Sequence, residues 1–389
     1  MPSCAIFGSL ANLDIKSRTG GSSSGSHRRT TLERLWNGLD LLLPHAPRQL
    51  LHLHFLLPRI SFPGLDLITS GTSISSLIIP HQDVRLFPEF CELIVGHTTR
   101  QRQAWGICGL VYVIATIAGG AAYWACVPAL GVLWALFIGD AVGTLVVFIA
   151  SVLLNNSSLY DPYWSIAPMV IGAWLWVDSA PEANPRLLVA VLLTWVWGAR
   201  LTYNFCLGWS SLTHEDWRYR DLRESTGKAY WIVSFLGIHF FPTVLVFLGL
   251  LSLYAMASAE TGALGLIDGL GIIFTASAII IESCADAQLR TFREHNTDPS
   301  RILDTGLWAW CRHPNYFGEI MFWWGLSFLA LGASTSNWWV FIGPIAITAL
   351  FQFISLRLID TRMLQRRPHY AEHCKRVPAL IPRPPVRIS

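Results

Sequence analysis

The chain predicts an all-α membrane protein, a polytopic helical bundle of about eight transmembrane helices. Three observations carry that expectation. Hydrophobic residues make up 52% of the 389 and charged residues only 14%, with a mean hydropathy of +0.43; an average soluble domain is roughly one quarter charged. Apolar stretches recur at 106–127, 129–154, 162–178, 186–205, 229–256, 262–283, 314–332 and 336–358, long enough for the ~17–25 residues that cross a bilayer. Their apolar character is continuous rather than alternating, which fits helices and not barrel strands. The same figures exclude a disordered chain, a disulfide scaffold and an ordinary soluble globule. A net charge of +3 leaves no footprint of nucleic-acid binding. The eight cysteines fall at 4, 91, 108, 126, 206, 284, 311 and 374 with no CxxC or Cys/His spacing. They read as reduced thiols, and no metal site is expected.

Residues 1–104 differ from the rest and form a poorly ordered or targeting-like region. The first 30 are rich in Ser and Gly, with Lys16, Arg18, Arg28 and Arg29 against Asp14. That balance fits an organelle transit peptide or a disordered tail, the tail being favoured. Residues 41–100 hold broken apolar runs interrupted by Pro and His, none of spanning length. The membrane domain is 105–389. Pro168 and Pro242 sit inside expected spans, where neighbouring helices can satisfy the freed backbone groups.

Basic residues set the orientation. Arg218, Arg220, Arg223 and Lys228 mark one loop, Arg290, Arg293, Arg301 and Arg312 a second, and Arg362, Arg366, Arg367, Lys375, Arg376, Arg383 and Arg387 the tail. Two spans separate each segment from the next, so all three fall on one side, which the positive-inside rule makes cytosolic. The alternate connections are nearly free of Lys and Arg, Arg186 being the exception. The sequons at Asn155 and Asn156 are then cytosolic and unglycosylated.

The residues with chemistry lie between 282 and 319. Glu282, Asp286, Arg290 and Arg293 follow i, i+4, i+8, i+11 spacing and share one helical face. That face is either a salt-bridged helix end or a polar ligand site at the membrane border. In GLWAWCRHPNYFGE (306–319), Pro314 suits the first turn of a span, with Arg312 and His313 ahead of it and Asn315 behind. A helix start carrying such groups suits phosphate. Glu319 lies one turn further in, where a carboxylate is costly without a partner. Trp308, Trp310, Trp323 and Trp324 read as headgroup anchors. Asp140 and His239 lie well inside spans, His239 reading first as a satisfied buried contact.

The run GLWAWCRHPNYFGEIMFWWG resembles the C-terminal signature of the steroid 5α-reductase-like membrane superfamily, closest to the branch known as domain of unknown function 1295. NSSLYDPYWSIAP (156–168), WGARL (197–201), HEDWRYRDLR (214–223), ESCADAQLRTF (282–292) and RRPHYAEHCKRVPALIP (366–382) are similar to that branch as well. The resemblance spans roughly 106–384. It implies a cytosol-facing NADPH pocket built from the C-terminal helices. Carried over by position, it implies cofactor contacts from Asp286, Arg290, Arg293, Arg301, Arg312, His313, Asn315, Tyr316 and Glu319. Glu282 stands where steroid reductases often have Asn, and the Glu and Tyr that those enzymes use at the enone carbonyl have no counterpart here.

The expected activity is NADPH-dependent reduction of a C=C bond in a lipophilic, steroid-like or lipid enone substrate. Tyr316, Glu319 and Asp161 are the expected donors at the carbonyl. The 214–223 loop is either a solvated loop or a lid bringing Arg218 or Arg223 to phosphate. Two alternatives remain open: an S-adenosylmethionine-dependent methyltransferase of lipid or prenyl groups, since those enzymes carry a related RHPxYxG motif, and a non-catalytic membrane protein that keeps the pocket. The endoplasmic reticulum is the expected membrane, with plastid or mitochondrion left open by the basic N-terminus.

Overall fold

The computed structural model describes residues 99–179, 184–259 and 262–385; the expectations for 1–98 lie outside them. The fold is all-helical, with no strand among the described residues. The first helical element, α1 (Thr99–Leu153), is two helices joined at Gly131, whose φ of 75° is a turn conformation natural only to glycine. The arms run back along each other. A Cβ placed on Gly119 would lie 2.6 Å from the Gly139 carbonyl oxygen, whereas a straight helix would hold those residues ~30 Å apart. The stretches expected at 106–127 and 129–154 are these two arms.

A tight turn over Ser157–Tyr160 leads to α2 (Tyr163–Asp178). Then α3 (Pro185–Gly208) starts with Asn184 accepting from the Leu187 N–H at 3.0 Å and Pro185 in the first turn. The expected charged loop is a helix, α4 (Trp217–Thr226), capped by Asp216 and stopped at Gly227. Next, α5 (Tyr230–Ser234) passes through a wide turn, Phe235–Phe240, into α6 (Phe241–Ser258). The wide turn stands directly before Pro242, whose ring nitrogen has no hydrogen to give, and it absorbs that break. His239, within the turn, is fully satisfied. Its Nδ1 meets the Ser234 carbonyl at 3.0 Å, and its Nε2 meets the Ser151 hydroxyl at 3.1 Å. After it come α7 (Leu266–His295), α8 (Pro314–Ala333), α9 (Ile342–Leu350), a second wide turn, α10 (Leu356–Arg366) and α11 (Tyr370–Arg376).

Five helices are long and apolar enough to cross a membrane: Thr99–Leu153, Pro185–Gly208, Trp217–Ser258, Leu266–His295 and Thr335–Arg366. They contain six of the eight expected stretches, because α1 holds two. The other two form α2 and α8. With 16 residues α2 is short, about 24 Å at 1.5 Å per residue, and α8 carries Asn315 and Glu319 in its first turns. Instead, α8 is largely enclosed by the bundle. Phe322, Leu326, Leu329 and Ala330 are fully buried, and its long partner is α7. The two backbones come close at Gly318, where a Cβ would stand 2.8 Å from the Glu282 Cβ and 2.9 Å from the Ala278 carbonyl.

Candidate functional site: a basic cavity above a buried charge cluster

The three basic segments converge. Trp217 and Arg218 of α4, Arg293 of α7, Arg312 and His313 ahead of α8, Asn315 and Tyr316 within it, and Arg362 and Arg367 of the C-terminal segment line one cavity of about 220 Å³. Among the described residues its wall holds five arginines (Arg218, Arg293, Arg312, Arg362 and Arg367) and no carboxylate.

Most of these guanidinium groups are pinned from behind. Asp216 caps α4 through the Arg218 N–H and holds Arg218 Nε at 2.7 Å. Arg312 donates to Asp360 Oδ2 and to the Val377 carbonyl, both at 2.7 Å. Arg362 pairs with Asp221 at 2.9 Å and lies 3.4 Å above the centre of the Trp217 ring. Arg367 donates to the Arg301 carbonyl, and burial lowers its pKa. Arg293 makes no hydrogen bond or ion pair within the described residues. Asp360 organises the floor. It also accepts from Tyr370 at 2.5 Å and from His313 Nε2 at 3.3 Å. A carboxylate can only accept, so His313 carries its hydrogen on Nε2. Burial holds the His313 pKa below the ordinary imidazole range, against the pull of Asp360. Burial and the same carboxylate raise the Tyr370 pKa. The His313 ring stacks on Tyr316 at 5.3 Å and 12°. The amide oxygen of Asn315, 2% exposed, has no hydrogen-bond partner within the described residues.

Deeper in the bundle, Arg200 of α3 reaches two acids of α7. Its Nη2 lies 2.8 Å from Glu282 and its Nη1 2.9 Å from Asp286. Asn204 also donates to Asp286 at 2.8 Å. Glu319 accepts from two indoles, Trp197 at 3.0 Å and Trp323 at 2.8 Å. The acids on the expected face therefore turn inward to a third helix rather than along α7 to Arg290 and Arg293. One Asp286 oxygen stays buried without a hydrogen-bond partner among the described residues.

The expected site residues thus separate. Arg293, Arg312, His313, Asn315 and Tyr316 line the cavity. Asp286 and Glu319 belong to the cluster beneath it. Arg290 is half-buried beside Asp286 without reaching the cavity wall. Arg301 lines an adjoining polar depression with Asp298 and Glu372, which shares Ile302 and His373 with the basic cavity. Asp161 accepts from the Tyr219 hydroxyl of α4. Of the loop arginines Arg218 lines the cavity, while Arg223 pairs with Glu215 and covers the Tyr230 ring at 3.9 Å. Arg200, Arg362, Arg367 and Asp360 were not expected as site residues from the sequence, Arg362 and Arg367 counting only toward the basic tail. Arg200 carried a usable signal, a charge inside an apolar stretch, which in lipid demands a partner. The expectation of tryptophan anchors is corrected at Trp308 and Trp323. Trp308 and Trp323 are buried with indole N–H bonds to the Ala285 carbonyl and Glu319, and Trp324 bonds Thr348. Trp310 is 45% exposed.

No solved structure matches the chain significantly. An uncharacterized protein of the fission yeast Schizosaccharomyces pombe is 29% identical over 260 residues, covering 60% of this chain and 74% of the relative. The family described as protein of unknown function (DUF1295) matches residues 147–377. That range holds every residue of the basic cavity and of the cluster beneath it, and with most of the chain inside the match, this protein belongs to the DUF1295 family.

Proposed function

We propose that the protein is a multi-pass membrane reductase that uses NADPH to reduce a C=C bond of a lipophilic substrate. The observation that carries this reading is the cavity of five arginines without a carboxylate. A phosphate-rich ligand satisfies such a wall by charge-assisted, often bidentate bonds. The fit extends to an acceptor, because Asn315 on the cavity wall presents a buried oxygen in need of a donor, as an amide or a ribose hydroxyl supplies. A cavity of about 220 Å³ takes the phosphate-bearing part of the dinucleotide, the rest lying along its open side. The resemblance to the steroid 5α-reductase-like superfamily points the same way.

Bound there, NADPH would supply a hydride to the carbon β to a carbonyl. The chain's own task is to place the cofactor and to stabilise the charge that develops on the carbonyl oxygen. Arg218, Arg293, Arg312, Arg362 and Arg367 hold the phosphates. Tyr316 is the expected donor that reaches the cavity wall, its ring held between His313 and Phe351. Glu319 sits about one turn deeper, and Asp161 supports α4 from behind through Tyr219. In this reading the eight apolar stretches are eight spans, with the basic end and both termini in the cytosol of an endoplasmic-reticulum-like membrane.

The test is thermal unfolding in detergent with NADPH, NADH and S-adenosylmethionine, on wild type and Arg293→Ala. A ligand that binds only the folded state raises the midpoint by mass action. NADPH is expected to stabilise the wild type, and Arg293→Ala to lose most of that shift. Stabilisation by S-adenosylmethionine alone would assign a methyltransferase, although its sulfonium charge is poorly matched to a cationic wall. No shift with any of the three would leave the non-catalytic reading, which the absence of Asp161 and Glu319 from the cavity wall favours.

A further inference from the structure

A second cavity, of about 160 Å³, opens between the two arms of α1 and α2 and shares no lining residue with the basic one. Its wall is apolar and aromatic. Tyr123, Trp124 and Trp174 form a cluster of edge-to-face rings with centroids 5.4–5.5 Å apart. One carboxylate is set into this wall. Asp140 is 7% exposed and makes no hydrogen bond or ion pair within the described residues. Every other buried acid described above has an arginine, an indole, a phenol or a backbone N–H to answer it. A lone carboxylate inside an apolar helix is costly, and by default it awaits a partner. Trp124 is 59% exposed, so the mouth of the cavity faces the surroundings of the bundle, which are lipid.

We propose that this cavity binds the ammonium head of a lipophilic amine, with Asp140 as its counter-ion and the three aromatic rings around its charged end. The wall supplies both halves of that recognition. A carboxylate neutralises the charge in a low-dielectric setting, and aromatic faces attract the methyl or methylene groups next to a cationic nitrogen. A neutral alcohol would leave the carboxylate charge unanswered, and a fatty acid would add a second negative charge. The volume sets the fit, since an apolar cavity of about 150 Å³ holds a molecule the size of benzene. The head and its first carbons enter, and the tail leaves past Trp124 into the bilayer. The site stands independently of the cofactor assigned to the basic cavity.

The experiment uses the full chain in lipid nanodiscs and three probes of equal length: dodecyldimethylamine, dodecanol and dodecanoate. Thermal shifts are read on wild type, Asp140→Asn and Gly120→Phe. Gly120 lines the cavity, and a Cβ there meets no atom within 4 Å, so a bulky side chain can be introduced at the cavity without a backbone clash at its first atom. The amine is expected to stabilise the wild type and the other two probes not. Asp140→Asn, nearly isosteric, is expected to fold normally and to weaken amine binding at least tenfold, and Gly120→Phe to abolish it. Wild-type affinity for the amine in Asp140→Asn, or equal stabilisation by dodecanol, would overturn the proposal.

Discussion

Arg200 is the side chain on which the buried polar arrangement turns. Its guanidinium answers Glu282 and Asp286 together, with all three groups nearly out of solvent. Breaking a buried pair costs about 3–5 kcal/mol because the remaining charge has no answer. Arg200→Ala is therefore expected to lower the unfolding midpoint in detergent sharply, with part of the loss recovered when Glu282→Gln and Asp286→Asn are added. Arg200→Lys is expected to recover little, since one ammonium cannot span two carboxylates as a guanidinium fork does. His313 gives a pH signature. Its folded-state pKa lies below the unfolded value, so its contribution is full above the ordinary imidazole value of about 6.5 and is lost as pH falls toward the folded value. Ligand-free midpoints should fall on acidification through that window, and His313→Gln should flatten the fall.

Among the helices, the α7–α8 pair decides where the site sits. Gly318 lets α8 lie directly on α7 at Glu282, in the same turns of α8 that carry Asn315, Tyr316 and Glu319. Gly318→Ala forces a methyl group against the Glu282 Cβ and the Ala278 carbonyl. Overpacking of this kind costs about 1–3 kcal/mol, so the variant is expected to unfold earlier and to bind NADPH more weakly, both read in one thermal-shift series. The turn at Gly131 is the other decisive element. Without it the apolar run of α1 would be one long rod instead of a hairpin, and the cavity with Asp140 between its arms would not exist.

The assembled molecule keeps its charges at two levels. The basic segments meet around one cavity, and the exceptional Arg186 forms a buried two-pronged pair with Asp268 (2.6 and 2.9 Å), tying the start of α3 to the start of α7. In the proposed orientation, with the basic end in the cytosol, neither Asn155 nor Asn156 is expected to receive glycan. Packing adds a second reason at Asn156, which is 1% exposed and donates to the Leu212 and His214 carbonyls at 2.6 and 3.1 Å. No endoglycosidase-sensitive change in mobility is expected in eukaryotic cells, and a glycan at either position would reverse the orientation. The C-terminal segment closes the cavity. The Arg312 N–H donates to the Pro378 carbonyl at 2.8 Å and the Arg383 N–H to the Trp310 carbonyl at 3.0 Å.

Helices, apolar stretches, basic loops and the signature around His313 and Asn315 are all legible along the chain, because length, hydropathy and spacing are local properties. The inward turn of Glu282 and Asp286 is not, because it depends on which face of α7 meets α3, and Arg200 lies more than 80 residues away in sequence. For the same reason Arg362, Arg367 and Asp360 read as ordinary tail residues until the chain returns to its loops, and Trp323 reads as a membrane anchor until Glu319 appears beside its indole. Composition together with the continuous run of apolar residues commits this protein to helices in lipid, since unpaired backbone groups cannot survive there and barrel strands would alternate. Which charges face one another, and around which space, was settled by helix packing, since a pair energy depends on distances that exist only after the chain has folded.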